Sequence, residues 1–131
     1  MLPGSSLAKA LVCGAGAVVA LTAVTQTSLA SRAPSSAERR NIVAAIAETM
    51  PLTPASQRPD VRGIRISTVR TPSVRWARAS LVPKPGVTGD GALAIVGRFG
   101  RLWKLIDVGT SGAGCWLERR VRRDLRITDC P

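Results

Sequence analysis

The chain has 131 residues, with 19 Lys plus Arg against 8 Asp plus Glu, a net charge of +11, and no His. That length holds one domain at most, and the missing His excludes every Ser–His or Cys–His catalytic arrangement. The basic excess attracts nucleic acid, anionic lipid or acidic wall polymer, although a GC-rich coding bias toward Arg also produces such an excess, since the only lysines are Lys9, Lys84 and Lys104.

Residues 1–30 read as a signal peptide. Lys9 is the only charge before an apolar run of 15 residues, Ala10 to Val24. That is the upper end for a signal h-region and short of the roughly 18–20 residues needed to span a bilayer. Thr25-Gln26-Thr27 follows, then Ser28-Leu29-Ala30, with small residues at the −3 and −1 positions of a cleavage site. Cleavage is expected between Ala30 and Ser31. The alternative is an uncleaved N-terminal anchor with the domain outside. Val12 stands before Cys13 where a lipobox needs a small residue, so lipidation is not expected. Removing Lys9 leaves 18 basic against 8 acidic residues, or +10, on residues 31–131.

Residues 31–36 read as a flexible polar lead-in, and residues 37–131 as a single secreted domain. Ser35 precedes Glu38 at the spacing of a capping box. Ile42, Val43, Ile46 and Met50 recur at helical spacing until Pro51, which predicts a helix over 37–49. The segment 51–60 carries Pro51, Pro54 and Pro59 and reads as a loop. Val61 to Val69 reads as a strand with Ile64, Ile66 and Thr68 on one face and Arg65 and Ser67 on the other. Val74 to Val82 reads as a second strand. There Val74 and Trp76 point one way and Ala77, Ala79 and Leu81 the other, a phase change that suggests a bulge or a strand covered on both faces. Ala92 to Phe99 and Leu102 to Val108, joined by Gly100-Arg101, read as a hairpin. A glycine-rich loop follows, Gly109 to Gly114. Leu117, Val121 and Leu125 then mark one face of a short helix.

This order predicts an α+β fold: an N-terminal helix packed on a roughly four-stranded antiparallel meander, in two layers, with a short C-terminal helix pinned by a disulfide. The disulfide follows from the cysteine count. With Cys13 removed, Cys115 and Cys130 form an even pair in a chain bound for an oxidising compartment. Two Cys without His make only half a zinc site, and no base is available to activate a thiol. No metal or cofactor is therefore expected.

Chemistry-bearing motifs are few. The stretch GTSGAG lacks the ending of a P-loop and does not match GxGxxG. It reads as a loop needing glycine backbone angles, with Asp107 accepting hydrogen bonds from its amides. Arg119, Arg120, Arg122 and Arg123 form the densest basic cluster and are expected to project from the short helix, opposite its apolar face. They are either a solvated face or an anion-binding one. The aromatic residues, Trp76, Trp103, Trp116 and Phe99, are too few for a base-stacking platform, so no specific nucleic-acid partner is expected.

Arg65-Ile66-Ser67-Thr68-Val69, Trp76-Ala77, the run Trp103 to Cys115 (WKLIDVGTSGAGC) and the terminal Asp-Leu…Cys resemble a group of small, uncharacterised secreted proteins of actinobacteria. The resemblance spans about residues 61–131, and the Trp-to-Cys run is its most specific part. It departs at Leu117-Glu118, where such chains often carry a Pro-led helix start. Members share a signal peptide and a C-terminal Cys pair and have no assigned activity. The resemblance thus implies compartment and disulfide but no chemistry. The expectation is a secreted or cell-envelope-associated, non-catalytic protein that binds an anionic envelope polymer or lipid head groups. The alternative is an enzyme or enzyme inhibitor with a site near Asp107 and the Gly109–Gly114 loop.

Overall fold

The computed structural model describes residues 31–131 and, ahead of them, Gly16 alone. The signal-peptide reading, with Ala30 and the cleavage site's N-terminal side, lies outside the described residues.

The capping box forms as the spacing predicts. The Glu38 amide donates to Ser35 Oγ at 3.2 Å, and the Ser35 amide donates to Glu38 Oε1 at 3.0 Å. From this cap, helix α1 runs Ser36–Ala47 and buries Ile42, Ala45 and Ile46. It stops earlier than the predicted 37–49. The Thr49 hydroxyl donates to the Ile46 carbonyl at 2.7 Å and the Thr49 amide also turns onto Ile46, so the last turn is closed before Pro51.

Residues 31–36 are tied down rather than loose, which corrects the expected mobile lead-in. Ser31 is 5% exposed, and Arg65 donates to it through Nε at 3.1 Å and through a second bond to its carbonyl. Arg32 forms an antiparallel bridge with Ile66, both backbone bonds at 2.8 Å. Its guanidinium makes two bonds of 2.8 Å to the Glu38 carboxylate. The physical reason is the open edge of the sheet, whose backbone groups need partners.

After a 3-10 turn at Ala55–Gln57, four strands follow: β1 (Asp60–Ile66), β2 (Arg75–Val82), β3 (Ala92–Phe99) and β4 (Leu102–Gly109). They form one antiparallel meander in the order β1-β2-β3-β4. The β3–β4 hairpin turns at Gly100, which takes a φ of +61°. Helix α2 (Arg119–Asp124) is the last element, followed by an irregular segment to Pro131.

The sheet is covered on both faces. On one face α1 packs its isoleucines against Ile64, Ile66, Ala77, Ala79, Leu81, Ala94, Val96 and Trp103. On the other, Leu117, Val121, Leu125 and Ile127 pack against Ile95 and Val69, with Trp76 and Leu93 at the margin. The two-layer expectation therefore becomes three layers. This also explains β2. Its pairing with β3 runs without a slip from Arg75 to Leu81, so there is no bulge in it. Trp76 and Ala77 point to opposite faces, and both faces are core.

The bulges lie elsewhere. One falls in β1 between Arg62 and Arg65, where Gly63 takes a φ of +59°. A left-handed glycine is the signature of a bulge that adds one residue to a strand. It lets Val61 on one side and Ile64 and Ile66 on the other, of opposite sequence parity, all meet the α1 cluster. The second shift pairs Val96 with Leu105 but Ile95 with Asp107, leaving Ile106 as the extra residue of β4.

Candidate functional site

The β4 bulge positions Asp107. Without it, Asp107 would share the face of Trp103 and Leu105, inside the α1 cluster. The extra residue turns it to the opposite face, beside the glycine loop. There its Oδ2 accepts from the Gly114 amide at 2.9 Å and from Trp116 Nε1 at 2.8 Å. These donors, the Gly114 amide first, hold the carboxyl below the ordinary range. The indole of Trp116 then stands edge-on to Trp76, ring centroids 5.1 Å apart.

The loop itself needs glycine for backbone reasons. Gly112 and Gly114 take φ values of +73° and +77°. A Cβ at Gly114 would also come within 2.9 Å of Ile127 Cδ1 and Ile95 Cδ1. Cys115 follows at once and is bridged to Cys130, with Cα atoms 5.5 Å apart. The bridge and the Asp107 bonds seat the start of the C-terminal segment on the sheet.

The α2 arginines divide. Leu117, Val121 and Leu125 are buried as expected, at 5%, 0% and 0% exposure. Arg119, Arg120 and Arg123 are exposed. Arg122 is half-buried, and its Nε has no partner, which corrects the expectation that all four project outward. A helix of six residues with an apolar stripe at 117, 121 and 125 places position 122 beside that stripe. Among the described residues the ion pairs are Arg32–Glu38 and Arg62–Asp60, so none of the α2 arginines meets a carboxylate.

Two polar groups that hold α2 are missed by sequence reasoning. Asp124 is buried, and its Oδ2 accepts from Ser67 Oγ at 2.7 Å and from the Thr68 amide at 2.8 Å. Ser67 Oγ in turn accepts from the Val69 amide at 3.2 Å. Arg78, mid-strand in β2, donates through Nη1 to the carbonyls of Leu125 and Arg126 at 3.1 and 3.0 Å. Burial lowers its pKa from the ordinary arginine value. Just before these carbonyls, α2 ends in a Schellman arrangement, in which the Ile127 amide donates to Arg122 O and the Arg126 amide to Arg123 O. Arg126 takes the left-handed conformation, φ +55°, that usually falls to glycine. The available signal was a polar Ser67 and a charged Arg78 on predicted strands that also carry the apolar Val69 and Trp76.

Two concavities flank this segment. One, of about 370 Å³, lies between the glycine loop, residues 126–129 and Arg78 and Ser80; Asp107 does not line it. The other, of about 490 Å³, lies at the opposite end of the sheet, between the β1–β2 connection and the β3–β4 hairpin. Comparison with family models, curated proteins and solved structures finds no match to the chain.

Proposed function

We propose that this is a secreted or cell-envelope-associated, non-catalytic protein that binds an anionic polymer or lipid surface through α2. The observation that carries the reading is the exposed trio Arg119, Arg120 and Arg123, unpaired within one short helix. Exposed like charges so close together create a positive potential that attracts polyanions and is screened over a Debye length of about 8–10 Å near physiological salt. The signal-type segment 1–30, the Cys115–Cys130 bridge and the resemblance to secreted actinobacterial proteins support the compartment. Among the described residues no helix is long and apolar enough to cross a membrane. In this reading an anchor, if retained, is the N-terminal apolar run itself. Intact mass of the exported protein should correspond to a chain beginning at Ser31, and recovery of only the full-length chain with membranes favours the anchor.

The test of binding is retention on anionic vesicles or wall polymer at low salt. Arg119→Glu with Arg123→Glu should abolish it. Arg40→Glu with Lys104→Glu, an equal charge change on exposed residues elsewhere, should reduce it only modestly. Equal loss in both shows bulk charge rather than a site.

The cavity beside the glycine loop favours a second reading, an enzyme or enzyme inhibitor with its site at that loop and residues 126–129, with Asp107 outside the cavity and holding the loop through Gly114. It expects a small molecule that raises the Tm of the parent protein and not that of Ser80→Trp, which fills the cavity.

A further inference from the structure

We infer that the cleft between Arg70, Arg75 and Arg98 is a discrete binding site for a phosphate group. The cleft is formed where the β1–β2 connection meets the β3–β4 hairpin. It is lined by those three arginines with Ser73, Thr71 and Gly100 among the remaining residues, and by no carboxylate.

The strand register forces the charges together. Arg75 on β2 lies directly opposite Arg98 on β3. Like charges at directly opposed positions destabilise a sheet, and nothing in the described protein offsets this pair. Neither Arg70 nor Arg75 makes an ion pair among the described residues. Arg98 donates through Nε to the Gly100 carbonyl at 2.9 Å. That bond orients its guanidinium and leaves the two terminal NH2 groups for a ligand. A tetrahedral oxyanion with several acceptor oxygens fits such a fork, since Arg–phosphate bonding is bidentate and charge-assisted.

The walls are pre-set. Pro72 fixes its own φ, and the Thr71 hydroxyl donates to the Val74 carbonyl, closing the turn before β2. The backbone that carries these arginines is thus fixed, and the bond to Gly100 also holds the Arg98 side chain, which lowers the ordering cost of binding. The cleft borders α2 only at the end of the sheet, because Arg75 shares the face of Ala77, and Arg98 that of Val96, on the α1 side. Val69 lines it on one side and lines a shallow depression with Arg120, Arg123 and Asp124 on the other. A chain of phosphate groups, on a polymer or across lipid head groups, that engages α2 reaches the cleft by rounding the sheet end at Val69, and there seats one phosphate between Arg70, Arg75 and Arg98. The phosphate site stands on its own geometry; only this continuous track rests on the anionic-surface reading.

The experiment titrates inorganic phosphate at low salt into the disulfide-bonded protein and follows backbone amide NMR shifts. Saturable shifts are expected at residues 70–75 and 97–100. Arg75→Gln with Arg98→Gln should weaken binding by about tenfold or more, since charge-assisted bonds are lost. Arg40→Gln with Lys104→Gln should leave it within about twofold, since distant exposed charges are screened. Without phosphate, the cleft variant should melt no lower than the parent, because an opposed like-charge pair is relieved. If that double variant fails to fold, Arg70→Gln on the connecting loop carries the same comparison. Phosphatidylglycerol vesicles and linear polyphosphate then identify the source: the probe whose retention falls in the cleft variant carries the natural chemistry. Absence of saturable phosphate shifts in the parent, or equal weakening in the Arg40 and Lys104 control, overturns the inference. Polymer retention lost with Arg119→Glu and Arg123→Glu but kept in the cleft variant overturns the track from α2 to the cleft. Saturable phosphate binding without polymer or vesicle retention upholds the cleft and overturns the surface reading.

Discussion

Asp124→Ala should cost more stability than any other single polar change on the second face of the sheet. The carboxylate is 7% exposed and takes two hydrogen bonds on one oxygen, Oδ2, from Ser67 Oγ and the Thr68 amide. Hydrogen bonds to a charged acceptor contribute about 1.5–3 kcal/mol each, and a buried donor left without a partner carries its full desolvation cost. Two such bonds give about 3–6 kcal/mol, and water entering the truncated site recovers part, so a loss of about 3–4 kcal/mol is expected. That is a large share of the roughly 5–15 kcal/mol available to a domain. Asp124→Asn is the informative companion. Because both donors converge on one oxygen, the amide carbonyl can accept both, while the charge is lost and the NH2 takes the buried, unpartnered place of Oδ1, together about 1–2 kcal/mol. Urea unfolding at neutral pH, compared through midpoints at constant m, measures both. Hydrogen exchange at Thr68 and Val69 should accelerate in the alanine variant, because Asp124 orders Ser67 and Ser67 Oγ in turn holds the Val69 amide. If Asp124→Ala and Asp124→Asn fall within about 0.5 kcal/mol of each other, the clasp is not what holds α2 to β1.

Three further outcomes are expected. Cys115→Ala should destabilise the oxidised protein by about 2–5 kcal/mol, and alkylation with mass analysis should find no free thiol among Cys115 and Cys130 in the native protein. Arg126→Gly should stabilise by about 0.5–1 kcal/mol, because the left-handed strain relieved exceeds the freedom gained by the unfolded chain, and should raise the Tm by a few degrees. Acid should weaken the α1 terminus. Its two bonds to Arg32 lower the Glu38 carboxyl to about 2, so its contribution is complete above the unfolded value near ~4.3 and is lost as pH falls toward about 2. The pair is solvent-accessible and screened, so the loss is only about 0.5–1 kcal/mol. Unfolding free energies of Glu38→Gln and the parent should therefore converge between pH 5 and pH 2.

Features that depend on near neighbours were legible in the sequence. The Ser35–Glu38 cap, the Gly100 hairpin, the Leu117–Val121–Leu125 face and the Cys pair each follow from spacings of a few residues or from counting. What was not legible depends on register. Gly63 interrupts a strand, which is a known sign of a bulge, but its effect on which residues face α1 appears only once Arg62 and Arg65 are paired across β2. The same holds for Ile106, whose insertion decides that Asp107 serves the glycine loop and not the core. The second covered face was legible only as one alternative for β2, a strand covered on both faces, because Ser67 and Arg78 have the composition of a solvated face. Their partners, Asp124 and the carbonyls of Leu125 and Arg126, lie about fifty residues later.

The placement of the basic residues follows from these ties. Helix α2 has six residues, too few to be stable alone in water. Arg119 and Arg123 stand at i, i+4, while Arg119–Arg122 and Arg120–Arg123 stand at i, i+3, spacings at which like charges repel. The segment is helical because its apolar stripe is buried, the residues leading into it are bridged to Cys130, its end is held by Arg78, and Asp124 clasps it to Ser67 and Thr68 just after β1. Four independent anchors thus hold a self-repelling helix against the sheet. Arg75 opposite Arg98 is a second arrangement of the same kind, on the other face of the sheet and bordering the first at Val69. Composition bias explains the number of arginines but not why two unpaired groups of them share one border. A ligand that neutralises both groups should stabilise the fold, while charge-removing substitutions there should stabilise the free protein and weaken binding. That opposition between stability and affinity separates a selected anion surface from arginines that are merely solvated.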